Sequence, residues 1–481
     1  MTMIKTLFAS ASAMTVAACA SVGPDYAQPP VDQFTQGMLE NDSALDASAI
    51  EPAQSWWTAF EDETLNALIE RAFAENRDLR VAAANVEAAR AALRLERVNL
   101  RPTGEAGADY QRRRLSGASF GADGASFDDT DYFDVGLNAA WELDFFGRVK
   151  RGTEAALADA QSAEYLRRDA EALVAAETAR AYIDYRGAQT RLAVAKRNLE
   201  IQSETHSLTQ TRFEEGLGTR LDVARAETQA KTTEASIPPL EATETAAANR
   251  LATLTGASVG EIAALLDGAE TELPSPPDAL AIGDAKGLLK RRADVRAAER
   301  TLAAATARIG VAKADYFPRI TLVGAVSASA QTLSGVGGDG SFGYGVGPSL
   351  AWSGFDIPRV RAQVKAADAR ADAAFAAYEQ TVLVALEETR TALSAYGRER
   401  VRFNALNAAA ATAREAAVLA RERFDAGADD FIDVLDAEGR QLAAEASLAE
   451  SQSAVASRYI NVYLALGAGW RSEPSIHEVK A

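Results

Sequence analysis

The side chains best placed to do chemistry stand near the two ends of the chain. At the start, Val16-Ala17-Ala18-Cys19 sets small residues before the only cysteine of the protein. Ahead of it, Lys5 is a charged start and Thr6 to Val16 a weakly apolar core, shorter than the about 20 apolar residues of a membrane span. The pattern resembles a bacterial lipoprotein processing site. Small residues admit a peptidase, the thiol accepts lipid, and cleavage leaves Cys19 as the new N-terminus. The alternative is a stray cysteine beside a simple cleavage site. Ala20 follows rather than aspartate, which in such lipoproteins directs transfer to the outer membrane. Toward the other end, Asp433 and Asp436 lie three apart on an expected helix and so share a face. Taken by themselves they read as first-turn carboxylates favoured by the helix dipole.

Nothing else in the chain has catalytic spacing. The 481 residues hold 68 Asp and Glu against 50 Lys and Arg, a net charge of −18, so chance carboxylate pairs are expected. That balance argues against nucleic acid, which requires a basic face. His206, His477 and Cys19 are too few for a zinc site or a disulfide framework. The glycines around 335–347 are not followed by Lys-Ser/Thr, so no phosphate loop forms there. No cofactor, metal or enzymatic activity is expected.

The elements that must position these residues come in duplicate. Asp78 and Pro102 recur 216 residues later as Asp294 and Pro318. TRFEEGLGTRLDVARAE (211–227) recurs 211 later as ERFDAGADDFIDVLDAE (422–438), and Gly256 as Gly467. Such self-similarity marks a duplicated structural unit. In the first copy Leu65, Leu68, Ile69, Ala72, Phe73, Leu79, Val86, Leu93 and Val98 form a helical stripe ending at Pro102. The period then changes to two: Phe133, Val135, Leu137, Ala139, Trp141 and Leu143 alternate with Asp134, Gly136, Asn138, Ala140, Glu142 and Asp144. One apolar and one polar face suit a barrel strand between lipid and a wet lumen; a soluble β-sandwich would alternate in the same way. Segments 103–114, 319–330 and 341–355 are the other strands, separated by glycine-rich loops. Four strands per chain cannot close a barrel; three chains supply twelve.

Each strand pair leads into a long stretch, 149–215 or 360–426, long enough for a helix of roughly 100 Å at about 1.5 Å per residue. Turns at Gly216-Leu217-Gly218 and Gly427-Ala428 start second helices ending at Gly256 and Gly467. The turn glycines are expected to supply positive φ. The organisation is therefore 1–18 signal peptide, 19–60 extended leader, 61–256 first repeat with its β-hairpin at 103–146, 257–290 linker, 291–467 second repeat with its hairpin at 319–355, and 468–481 tail.

Six stretches together resemble the outer-membrane efflux channel family typified by TolC and OprM, and its lipoprotein, NodT-type branch. They are VGPDYAQPP (22–30), WWTAFEDETLNALIERAFAENRDLRVAAANVEAAR (56–90), WELDFFGRVKR (141–151), EEGLGTRLDVARAE (214–227), VLDAEGRQLAAE (434–445) and YLALGAGW (463–470). The resemblance implies an α+β membrane channel: a homotrimer with a 12-stranded outer-membrane β-barrel and a periplasmic α-barrel of roughly 100 Å. It implies a passive exit duct for drugs, solvents or metabolites, supplied by an inner-membrane RND-type pump through a periplasmic adaptor protein. The alternative is a duct for ATP-driven type I protein secretion, whose members usually lack the lipid anchor and this leader. A non-conducting coiled-coil adaptor would carry neither the duplication nor the strand pairs.

The resemblance also assigns roles. Asp433 and Asp436 match aspartates at the periplasmic constriction, which three chains make into two acidic rings. Asp222 matches a position that helps hold the closed state against basic residues of a neighbouring hairpin. Here Asp429 and Asp430 replace an expected basic residue, so Arg220, Arg225 and Arg440 are the alternative partners. The turns around Gly216, Gly218 and Gly427 double as the adaptor contact. Tyr132, Trp141, Phe145, Phe146, Tyr316, Phe317, Trp352 and Phe355 cluster at the strand ends, which a girdle at the lipid boundary explains; packing at the strand–helix junction is the other reading, of equal weight for Phe146 and Phe317.

Overall fold

The structure, a computed structural model, describes residues 21–30, 47–48, 50–116, 128–267, 272–277, 279–428 and 430–470. The signal peptide, Cys19, Asp429 and the tail beyond Trp470, His477 included, lie outside the described residues. Along the chain run β1 (Ala47–Ser48), α1 (Glu63–Glu75), α2 (Arg77–Val98), β2 (Thr103–Arg113), β3 (Thr130–Glu142), α3 (Arg148–Glu214) and α4 (Arg220–Thr255). There follow α5 (Val259–Asp267), β4 (Leu280–Ala281), α6 (Ala285–Arg291), α7 (Ala293–Ala314), β5 (Arg319–Ala330), β6 (Phe342–Ala351), α8 (Ile357–Asp425) and α9 (Phe431–Ala465). The chain thus mixes a helical majority with one open four-stranded sheet, order β2-β3-β5-β6, antiparallel throughout. A short parallel pair, β1 with β4, stands apart from it.

The chain divides into two compact units. One gathers residues up to Pro29, Asn85–Ala163 and Ala298–Tyr378; the other gathers Pro30–Ala84, Glu164–Ala297 and Glu379 onward. In the first, helices meet through alanines: Ala158 on Ala303 and Ala304, Ala156 and Ala160 on Leu93, and Ala305 and Ile309 on Ala367 and Ala371. Alanine combines high helix propensity with a side chain small enough for close helix approach. The second unit has the larger core, with Trp56, Leu65, Leu68, Ile69, Tyr182, Ile183, Leu251, Ile262 and Tyr459 almost fully buried. Each such side chain contributes about 1.5–3 kcal/mol of hydrophobic stabilisation.

Helix α3 is 67 residues and α8 is 69. Asp144 starts α3 by accepting from Val149 N (3.0 Å) and Lys150 N (2.8 Å), and Pro358 sits in the first turn of α8, where its missing N–H costs nothing. The apolar stripe expected to run unbroken to Pro102 is interrupted. The chain leaves helical geometry at Asn76 (ψ 134°), whose Oδ1 then accepts from Asp78 N and Leu79 N to start α2. Arg292 interrupts the second copy in the same way (ψ 118°).

Candidate functional site

The sheet separates its side chains by chemistry. Ala106, Leu137, Val326 and Tyr344 stand in register across all four strands, as do Ala108, Val135, Ala328 and Phe342. The rows between them are small or polar: Gly107, Gly136, Ser327 and Gly343, then Asp109, Asp134 and Ser329. Ser329 donates to the Asp134 carboxylate. The apolar rows are left bare; Phe342 is 70% exposed, Tyr344 82% and Val346 73%. A contiguous apolar face open to solvent is a surface meant for something apolar. At the edges, β2 and β6 each pair on one side only, leaving backbone groups that hydrocarbon cannot satisfy, so a sheet in a membrane must close. No described helix is long and apolar enough to cross a membrane.

The aromatic residues at the strand ends divide into two groups. The indole N–H of Trp141 donates to the Leu100 carbonyl and that of Trp352 to the Tyr316 carbonyl, both at 3.1 Å. These are equivalent bonds of the two copies, and they join each hairpin to the end of its preceding helix. Phe355 is fully exposed. Phe146 and Phe317 instead stack on each other at 4.5 Å and 16°, which is packing at the junction.

At the far ends of the helices, one turn design is used four times. Leu217 N donates to Arg212 O (2.8 Å) and Gly216 N to Phe213 O (3.0 Å); Ala428 N to Arg423 O and Gly427 N to Phe424 O are both 2.9 Å. These are Schellman closures, which place the next-to-last donor in left-handed geometry. Gly216 has φ +76° and Gly427 +72°, and Gly256 (+63°) and Gly467 (+75°) close the partner helices. Gly218 differs from the expectation: its φ is not positive, because Gly216 already completes the closure and Thr219 continues extended (φ −108°, ψ 155°). Gly216→Ala should therefore cost about 1–2 kcal/mol. Gly218→Ala, whose Cβ would come no nearer than 3.5 Å to its neighbours, should cost a few tenths at most. Thermal denaturation of the two variants side by side checks this, and equal losses would refute it.

The three aspartates of these turns have different surroundings. Asp222 is folded back on its own helix: its Oδ2 accepts from Thr219 N (3.1 Å) and Oγ1 (2.6 Å), while Asp222 N donates to Thr219 Oγ1 (3.2 Å). That is a capping box, closed with Asp in place of the usual Glu. Asp436 accepts from Arg440 Nε at 3.0 Å, with both side chains largely exposed. Asp433 is exposed in the first turn of α9, and its carboxylate has no partner among the described residues. Arg212 lies over the Phe424 ring at 4.5 Å, joining the two turn regions.

Sequence reading missed a third place. Arg292, 8% exposed, donates from Nη1 to the Ala465 carbonyl (3.1 Å), from Nε and Nη2 to Asp294 (3.0 and 2.7 Å), and from Nη2 to Glu388 (2.7 Å). Its equivalent, Asn76, donates to the Leu254 carbonyl at 2.9 Å. The available signal was the shift of 216 that pairs the two positions, each two residues before the repeated aspartate. Beside Arg292 opens a cavity of about 520 Å³ lined also by Asp169, Arg180, Asp294, Glu388 and Arg458. Burial, with Asp294 adding, pushes the Asp169 carboxyl up to about 6, against the opposing pull of Arg292. A raised folded-state value means the folded chain holds the proton more tightly, so stability falls as pH rises from about 4 to about 6. Asp169→Asn should add about 1–2 kcal/mol at pH 7.5 and nothing below pH 4. Denaturation midpoints at both pH values test it; a gain of the same size below pH 4 would exclude the titration.

Residues 68–257 and 285–468 match the family described as outer membrane efflux protein. Nodulation protein T of Rhizobium leguminosarum bv. viciae is 32% identical over 452 residues, 93% of this chain and 90% of that one. Outer membrane protein OprJ of Pseudomonas aeruginosa is 33% identical over 461 residues, 95% and 94% of the two chains. A solved structure of the outer-membrane channel OprN superposes with a TM-score of 0.85 at 38% identity, covering 94% of this chain and 100% of that one. With both copies of the duplication matched, and a bare apolar sheet on a chain of long helical hairpins, the chain belongs to the outer membrane efflux protein family.

Proposed function

We propose that three copies of this chain close their sheets into one twelve-stranded barrel and pool their helical hairpins into a duct. The duct gives passive exit across the outer membrane to small molecules. They are delivered by an inner-membrane RND-type pump through a periplasmic adaptor protein. Cys19 carries lipid that anchors each chain. Asp433 and Asp436 form acidic rings where the duct narrows, Asp222 belongs to the same gate from the first turn of α4, and the turns at Gly216, Gly218 and Gly427 meet the adaptor.

One observation carries the reading: the four-stranded sheet keeps an apolar face exposed and both edges unpaired. A single chain in water gains nothing from that arrangement. Three chains in lipid bury the face, pair the edges and surround the polar rows with water. The leader and the small-small-Cys pattern favour the pump-fed duct over the secretion duct.

The test is single-channel recording of the purified full-length protein in planar bilayers, with its mass in detergent. Discrete cation-preferring currents from a particle of three chains are expected. Well-folded protein that never conducts, or that stays monomeric in lipid, would overturn the proposal.

A further inference from the structure

The leader residues Ser21 to Tyr26 make contacts that a plain tail has no use for. Val22 N donates to the Phe146 carbonyl at 3.1 Å. Arg151, whose side chain is 5% exposed, directs most of its guanidinium to the leader. Its Nε donates to Val22 O (3.2 Å), and its Nη2 to Gly23 O (3.4 Å) and Asp25 Oδ1 (2.7 Å). The remaining Nη1 is held by Glu154 at 2.8 Å.

Glycines shape the bed beneath. A Cβ on Gly147 would stand 2.7 Å from Ser21 Cα, and one on Gly310 would stand 2.8 Å from Val22 O. Gly23 itself takes φ +95° with its Cα side against Gly310. Further on, Tyr26 donates to Glu299 Oε1 at 3.0 Å, lies 5.3 Å from the Arg300 guanidinium, and packs on Ala158, Ala303 and Ala304. Glu299 is 1% exposed. A buried arginine and a buried carboxylate are costly unless satisfied, and here leader groups help satisfy both.

We infer that this cleft between the start of α3 and α7 is a docking site for the chain's own leader, and that the docked leader is a strap holding Cys19 at the strand–helix junction. The inference rests on the lipidation and barrel proposed above. Two residue steps separate Cys19 from Ser21, so the strap keeps the lipid-bearing residue within about 7 Å of Ser21, which itself lies against Gly147. A free tether running from Cys19 to the buried Trp56 would let it wander on the order of 35 Å. The strap thus sets the depth at which the sheet meets the leaflet that receives the acyl chains. Function is thereby assigned to Arg151, Gly147, Gly310 and Glu299, none of which lies in the sheet.

The test uses three full-length proteins: wild type, Asp25→Ala/Tyr26→Phe, and wild type with ten Gly/Ser residues inserted between Ala20 and Ser21. Hydrogen exchange at residues 21–26 reads docking. The amount of heat-resistant oligomer in the outer membrane reads assembly, and the mass of the mature N-terminus confirms lipid on all three. Wild-type leader amides should exchange at least about tenfold more slowly than an open chain, and the double variant should lose most of that protection. The insertion should keep the protection yet lower assembled oligomer as much as the double variant does. Unprotected wild-type amides, an unmodified Cys19, or an insertion that assembles like wild type would each overturn the strap. Conductance is recorded on whatever assembles: non-conducting wild-type oligomer with a protected leader counts against the duct and leaves the docking site standing.

Discussion

Arg292→Ala is expected to destabilise the folded chain by about 3–5 kcal/mol, the largest single-residue effect foreseen here. The guanidinium is buried, and four of its hydrogen bonds end on three different elements: Asp294 at the start of α7, Glu388 on α8, and the Ala465 carbonyl at the end of α9. Its removal leaves Asp294 half-buried without its bidentate partner and leaves Asp169, already under strain from burial, without its compensating cation. It also empties the space against which Gly467 closes, since a Cβ on Gly467 would lie 2.8 Å from Arg292 Cγ. Arg292→Lys keeps the charge but not the fork and should recover only part of the loss. Asn76→Ala, which removes the neutral counterpart, should cost about 1–2 kcal/mol through its capping role. Denaturation of the three variants in detergent checks the order. A loss under about 1 kcal/mol for Arg292→Ala would mean that water replaces these bonds with little penalty.

Asp433→Asn is expected to reduce the cation preference of the reconstituted channel about threefold or more, and Asp436→Asn distinctly less. The two residues share a helix face, but among the described residues only Asp436 has a cation beside it, Arg440 at 3.0 Å. A charge already paired contributes little field, whereas Asp433 stands exposed with no described partner. In the proposed trimer the difference is multiplied, because each substitution would remove three charges from one ring. The contrast should widen below 0.1 M salt, where the screening length exceeds about 10 Å. Reversal potentials under a salt gradient read it directly. Equal effects of the two substitutions would show that Arg440 leaves Asp436 in the assembled channel. No effect of either would place the constriction elsewhere and leave these carboxylates as helix-dipole residues.

What was legible beforehand followed from local pattern. The period of two in Phe133 to Trp141 announced strands with one apolar face, and β3 shows it. The recurrence of Arg212-Phe213 and Gly216 as Arg423-Phe424 and Gly427 announced one turn design used twice. Pro238 and Pro239 lie inside α4, which runs on through them. Their missing donors cost local helix stability, but Leu240, Ala247 and Leu251 beyond them are buried in the second unit and hold the helix there.

By itself, then, the sequence determined the duplication, the strand pairs, the long helices and their turns, because each is encoded within a few neighbouring residues by side-chain period or by glycine. The tertiary structure alone decided that β3 pairs with β5, that Asp222 turns back into a capping box, that Gly218 needs no positive φ, and that Arg292 and Arg151 are buried anchors. Those outcomes depend on groups far apart in the chain, 173 residues for Arg292 with Ala465 and 129 for Arg151 with Val22. A buried cation is specified by the acceptors that surround it in space, and such a set leaves no periodic trace along the chain.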